Sequence, residues 1–205
     1  MSTVPAFPRI TITIHPDTSG EVTIQGISHP LGRTGNLTAS RRLALSVVTL
    51  RAATTLGRPV RVTATDEQGT WPLVVHPSGH HHSPEDPAPL PQPAQPDQAF
   101  RMSINGQVSP AGRSVLVGRN PRPGPHESVE VLFAVRDQQR TVSKTHARVE
   151  VDGHGVISVS DRNSTNGTSV ELDGYRVQVP DGGQMPVPYG AVIVLGDLQR
   201  VEILP

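Results

Sequence analysis

Apolar and polar residues alternate from the start of the chain. In "RITITI" Ile10, Ile12 and Ile14 share one face, and "EVTIQG" repeats the pattern with Val22 and Ile24. A period of two turns one face of a strand toward a core. The turn residues of "HPDTSG" lie between the two runs and predict a hairpin. From Asn36 to Leu56 the period lengthens, with Leu43, Val47, Leu50 and Thr54 spaced by three and four. That spacing predicts a helix with Thr38 as N-cap, Gly57 at the C-terminal cap and Pro59 barring continuation. "PVRVTA" and "TWPLVV", split by "TDEQG", predict two further strands. Residues 1–76 are thus expected to form a small α+β domain of order ββαββ, one helix covering one face of its sheet.

The pattern then stops. Residues 77–100, "PSGHHHSPEDPAPLPQPAQPDQAF", contain seven prolines and no period. Such a stretch cannot bury a core and is expected to be a flexible, polyproline-type linker. At roughly 3.1 Å per residue it would reach about 75 Å when extended. From 101 to 205 short alternating runs return, among them "RSVLV", "VEVLFAV", "HARVEV", "VISVS", "TSVEL" and "AVIVLG". Asp152-Gly153 and Asp173-Gly174 are hairpin-type turns. Many short strands at this spacing predict an antiparallel β-sandwich or barrel, and the chain as a whole reads as mainly β.

Composition narrows the function classes. Eighteen basic residues balance eighteen acidic ones, which argues against nucleic acid and against anionic membrane surfaces as partners. The first segment carries seven arginines against four acids, a mild excess only. Cysteine is absent, excluding disulfides and thiol catalysis. "MSTVPAFPRITITI" lacks the basic and apolar regions of a signal peptide, and no apolar run suits a membrane span of roughly 18–20 residues. A cytoplasmic location is the expectation. The preference for arginine over lysine, with abundant Ala, Gly and Pro, fits a GC-rich, bacterial coding sequence.

Three loop motifs stand between the C-terminal strands: Gly118-Arg119, "VSKTH" at 142–146, and "DRNSTNGT" at 161–168. Together they offer a guanidinium, the chain's single lysine (Lys144), hydroxyls and an amide. Sandwiches gather such loops at one end. The set suits a dianion, because a phosphate presents three acceptor oxygens and about −1.5 to −2 charge. Arginine can grip two of those oxygens, lysine adds a point charge, and hydroxyls and loop amides add neutral donors.

In order and spacing these motifs resemble the forkhead-associated (FHA) family of phosphothreonine-recognising β-sandwiches. The matching residues are Gly118-Arg119, Ser143-Lys144-Thr145-His146 and Ser164-Thr165-Asn166-Gly167-Thr168, with "YGAVIVLGDLQRVEIL" similar to the family's closing strands. The resemblance covers residues 102–204. It implies that Arg119, Ser143, Lys144 and Thr165 contact phosphate and that Asn166 bonds the peptide backbone. Gly118, His146 and Gly167 would shape the loops. The partner it implies is a phosphothreonine-containing protein or a Ser/Thr kinase, bound by a non-catalytic adaptor without cofactor. Between Arg119 and Ser143 the stretch "NPRPGPHESVEVLFAVRDQQRTV" is longer than the family pattern, and "NPRPGPHE" is expected to be an enlarged loop.

Other readings have less behind them. Docking of a partner independently of phosphate, by a structural or assembly protein, is the alternative function. Ser143, His146 and Asp161 invite a catalytic triad, but no nucleophile elbow accompanies them. His76, His80, His81 and His82 lack the cysteine or carboxylate order of a metal motif and read as solvated linker. The helix arginines Arg41, Arg42 and Arg51 read as a solvated face, or as a docking surface for an acidic partner.

Overall fold

A computed structural model of the chain describes residues 4–86, 99–153, 155–188 and 190–204. The chain divides into two compact units, 1–90 with 172–175 and 91–171 with 176–205. Half of the expected linker, residues 87–98, lies outside the described residues.

The first unit is a six-stranded sheet with a helix on one face. Its strands are β1 (Ile10–Ile14), β2 (Gly20–Ile24), β3 (Ile27–Leu31), β4 (Val60–Asp66), β5 (Gly69–Val75) and β6 (His81–His82), in the order β3-β2-β1-β4-β5-β6. All neighbours run antiparallel except β1 and β4, which are parallel. A parallel pair needs a crossover, and the helix supplies it. Helix α1 (Leu37–Val48) continues through a π turn (Thr49–Ala53) into a last turn, α2 (Thr54–Leu56). Ile10, Ile12, Ile14 and Val22 pack with Ala44, Val47 and Val48 in the core, so the expected faces of strand and helix do meet.

Several local expectations shift. The N-cap is Asn36 rather than Thr38: its side chain accepts from the Ala39 amide at 2.9 Å. Gly57 ends the helix at φ 61°, a left-handed conformation that glycine tolerates best. β3 and β6 extend the ββαββ order at both edges. β6 falls inside the stretch expected to be linker, pairing Val74 with His82 and Val75 with His81. Arg41 is not merely solvated: its Nε donates to Asp66 Oδ2 at 2.7 Å, and its guanidinium lies 5.0 Å from the Trp71 ring.

The second unit is a β-sandwich of two sheets. Its strands in chain order are β7 (Arg101–Ile104), β8 (Gln107–Val108), β9 (Ser114–Gly118), β10 (Val131–Ala134), β11 (Ala147–Val151), β12 (Ile157–Asp161), β13 (Thr168–Leu172), β14 (Tyr175–Gln178), β15 (Gln184–Pro186), β16 (Val192–Leu195) and β17 (Gln199–Leu204). One sheet has the order β10-β9-β11-β12-β15, the other β14-β13-β16-β17-β7-β8. β9 and β10 pair parallel, whereas β9–β11, β11–β12, β12–β15, β13–β16, β16–β17, β17–β7 and β7–β8 pair antiparallel. Val115, Val117, Val149 and Val159 are buried from the first sheet; Met102, Val170, Ile193 and Leu195 are buried from the second.

Candidate functional site

β9 ends at Gly118, and its pairing with the chain entering β11 continues past both strands. The amide of His146 donates to Val117 O at 2.9 Å, that of Arg119 to Ser143 O at 3.0 Å, and that of Asn120 to Lys144 O at 3.0 Å. This backbone ladder fixes Arg119 beside Ser143 and Lys144. It also explains Gly118, where a Cβ atom would stand 2.1 Å from the Lys144 carbonyl oxygen. The reason is close approach of two backbones.

His146 joins this ladder to the third loop. Its side chain is fully buried. Nδ1 accepts from the Ser143 amide at 2.9 Å, and Nε2 lies 3.0 Å from Gly167 O. An acceptor at Nδ1 and a carbonyl at Nε2 define the neutral ring with its proton on Nε2. Burial lowers the His146 pKa, opposed by the Gly167 carbonyl and by the charges of Asp161 and Asp137. The folded protein therefore binds fewer protons here than the unfolded chain. Stability is fully present above the unfolded value of about 6.5 and declines as pH falls below it. Denaturant midpoints measured from pH 7.5 to 5 should fall, and the decline should be smaller in a His146→Gln variant.

Asp161 shapes the loop that His146 grips. Its carboxylate accepts from Ser164 Oγ (2.6 Å), the Ser164 amide (2.9 Å) and Thr168 Oγ1 (2.6 Å). Burial would raise its pKa, but these bonds outweigh that and lower it. Gly167 turns the chain at φ 75°, and its carbonyl also accepts from the Gly196 amide at 2.9 Å. Across the site, the Asp137 carboxylate accepts from the Val142 amide (2.6 Å) and Thr141 Oγ1 (3.3 Å). That holds Thr141 O where it accepts from Asn166 Nδ2 at 2.9 Å.

All five residues expected to bind ligand are thereby drawn to one loop edge. Ser143 Oγ accepts from the Thr165 amide at 3.0 Å and lies 3.3 Å from Thr165 Oγ1. Arg119 Nε donates to Val142 O. The terminal nitrogens of Arg119 and the exposed ammonium of Lys144 have no carboxylate partner among the described residues. A triad does not form, since the His146 ring faces the Ser143 amide and the Gly167 carbonyl, and Asp161 is committed to Ser164 and Thr168.

The enlarged loop is docked. Glu127, with 10% of its side chain exposed, accepts from both terminal nitrogens of Arg162, from Arg148 Nη1 at 3.0 Å and from the Gly124 amide at 2.8 Å. Hydrogen bonds from Arg162, then from the Gly124 amide, hold its pKa at about 2. Nearer the site, Thr145 Oγ1 accepts from the Arg122 amide at 3.0 Å. Sequence reasoning did not find Glu127, Arg148, Arg162 or Asp137. A carboxylate between a proline-rich loop and the run "VEVLF" is the one sequence signal for Glu127.

Residues 115–196 match the family model of the FHA domain. Over those residues the chain is similar to FHA domains, which are in general non-catalytic protein-interaction modules that bind phosphothreonine. Similar solved structures include the FHA domain of the CT664 protein of Chlamydia trachomatis, 18% identical, covering 53% of this chain and 98% of that one, with a TM-score of 0.38. The FHA domain of an Arabidopsis thaliana hypothetical protein is 19% identical over 58% of this chain and 92% of that one, with a TM-score of 0.37. The MEK1 FHA domain, solved in complex with a HOP1 peptide, is 18% identical over 52% and 95%, with a TM-score of 0.37. No curated protein matches the chain in sequence. Among the described residues no helix is long and apolar enough to cross a membrane.

Proposed function

We propose that the loops of residues 118–122, 141–146 and 163–168 bind a phosphothreonine segment of a partner protein, made by a Ser/Thr kinase, and that the chain acts as a signalling adaptor. The observation that carries this reading is the placing of Arg119 and Lys144 beside the Ser143 and Thr165 hydroxyls on one edge, neither cation having a carboxylate of its own among the described residues. Arg119 grips two phosphate oxygens through its terminal nitrogens. Ser143 Oγ already accepts from the Thr165 amide, so its proton is free to donate to the third oxygen. Lys144 adds charge, and the part of the Asn166 amide not used on Thr141 O meets the peptide backbone. The test is calorimetric binding of the full chain to a degenerate phosphothreonine library and to its unphosphorylated counterpart. Equal affinity for both would replace this reading with docking independent of phosphate.

Lys144 contributes charge without direction, since an ammonium is a point charge with no planar fork. Lys144→Ala is expected to weaken matched phosphothreonine and phosphoserine peptides by a similar factor and to flatten the salt dependence of both. The threonine preference comes instead from burying the γ-methyl, about 0.8 kcal/mol or roughly fourfold, and from threonine's restricted χ1. A change in the phosphothreonine-to-phosphoserine ratio of more than about threefold would make Lys144 part of the pocket wall.

A further inference from the structure

The hairpin β5–β6 sorts its histidines onto two faces. β5 runs into His76, the chain turns over residues 77–79 with Gly79 at φ 87°, and β6 returns. The His76 amide donates to His80 O and the Gly79 amide to His76 O, both at 2.9 Å. His80 and His82 are two residues apart and share a face by strand alternation, whereas His81 faces the other way. There His81 lines a cavity of about 280 Å³ with Arg41 and Trp71. The rings of His76, His80 and His82 gather on the first face, their centroids 5.3 to 6.1 Å apart.

Two of these rings are set at ligand spacing. His82 Nδ1 lies 2.7 Å from Ser83 O. A carbonyl oxygen only accepts, so Nδ1 carries the proton and Nε2 carries a lone pair. That nitrogen is 3.2 Å from His76 Nε2. Two nitrogens on a tetrahedral ion, each bonded at about 2.0–2.1 Å, stand roughly 3.3 Å apart. A carbonyl behind the ring, as Ser83 O stands behind His82, is the outer partner that orients metal-bound histidines and raises their basicity. Among the described residues no three potential ligands already converge on one point. His80 is exposed, and a third ligand here requires its side chain to turn toward the other two rings.

We propose that His76, His80 and His82 form a three-histidine site for a divalent transition metal, zinc foremost, with the fourth position left to water. Imidazole suits zinc, and three protein ligands plus an open position is an established zinc arrangement. On binding, the proton that His76 directs at His82 leaves Nε2 and is retaken at Nδ1. Neutral rings thus coordinate without net proton release. The ion would tie the two strands of a short edge hairpin together.

The experiment is calorimetric titration of zinc into the metal-free full chain at pH 7.5, with cobalt(II) absorption as a report on geometry. One ion per chain is expected, with a Kd of about 1 µM or tighter and the intense visible bands of tetrahedral cobalt. His76→Ala, His80→Ala and His82→Ala should each weaken binding by more than about tenfold. His81→Ala should stay within about threefold of the wild type. Wild-type uptake weaker than about 100 µM, or a pale octahedral cobalt spectrum, overturns the site. So does an equal loss in His81→Ala, because a plain run of histidines does not distinguish its members.

Discussion

Arg119→Ala lowers affinity for a phosphothreonine peptide by about 30-fold or more and leaves the sandwich folded. Arg119 is half-buried, and only its Nε is used internally, on Val142 O. Truncation therefore removes the two terminal donors proposed to grip phosphate and leaves one loop carbonyl to water. Removing one partner of a buried, hydrogen-bonded charge pair costs about 2–5 kcal/mol, of which 2 kcal/mol already corresponds to some 30-fold. The internal loss is that of a single hydrogen bond, about 1 kcal/mol. Arg119→Lys restores charge but neither the fork nor the Nε bond, and should recover only part of the affinity. Calorimetry with one phosphothreonine peptide and thermal melts on the same samples separate the two effects. An Arg119→Ala affinity within threefold of wild type would overturn the phosphate-binding role.

The second large effect contrasts two glycines of the site. A Cβ at Gly118 meets backbone: Lys144 O at 2.1 Å, Lys144 C at 2.8 Å and the His146 nitrogen at 3.0 Å. Backbone cannot swing aside, so the ladder carrying Ser143 and Lys144 must separate from β9. We expect Gly118→Ala to cost about 3 kcal/mol, at the upper end for overpacking, and to abolish peptide binding as well. A Cβ at Gly167 also meets an atom at 2.1 Å, but that atom is Gln178 Nε2, the far end of a flexible side chain. The remaining cost there is the left-handed backbone at φ 75°, about 1–2 kcal/mol for an alanine. Denaturant unfolding should thus rank Gly118→Ala well below Gly167→Ala, and equal midpoints would refute the close-approach account.

What could be read from the sequence follows from how local each signal is. Ile10, Ile12 and Ile14 announce their strand because alternation needs only neighbours. β3 does not, because "ISHPL" contains Pro30 and leaves Ile27 exposed at a sheet edge. β6 is two histidines long, so no apolar residue marks it, and its pairing depends on β5 already being placed. The N-cap moved from Thr38 to Asn36 because both are good capping residues within "NLTAS" and the pattern does not choose between them. In the site, the Gly-Arg, Ser-x-x-His and Thr-Asn-Gly motifs were legible through order and spacing. The braces behind them were not: Asp137 acts on a loop five residues on, and Glu127 meets Arg148 and Arg162 across 21 and 35 residues. No periodicity encodes such meetings, which exist only once the strands have paired.

The Glu127 bridge has a mechanical consequence. One carboxylate bridges Arg148 and Arg162, both mostly covered, and Arg148 pairs with Glu150 as well. If the loop lifts, Arg162 loses its carboxylate while Arg148 keeps Glu150, which lies 2.8 Å from its guanidinium. Release thus leaves one mostly covered guanidinium without its partner, which favours the docked loop. The whole enlarged loop is therefore tethered at Arg162 by a single carboxylate, and a Glu127→Gln change would cut that tether at one point.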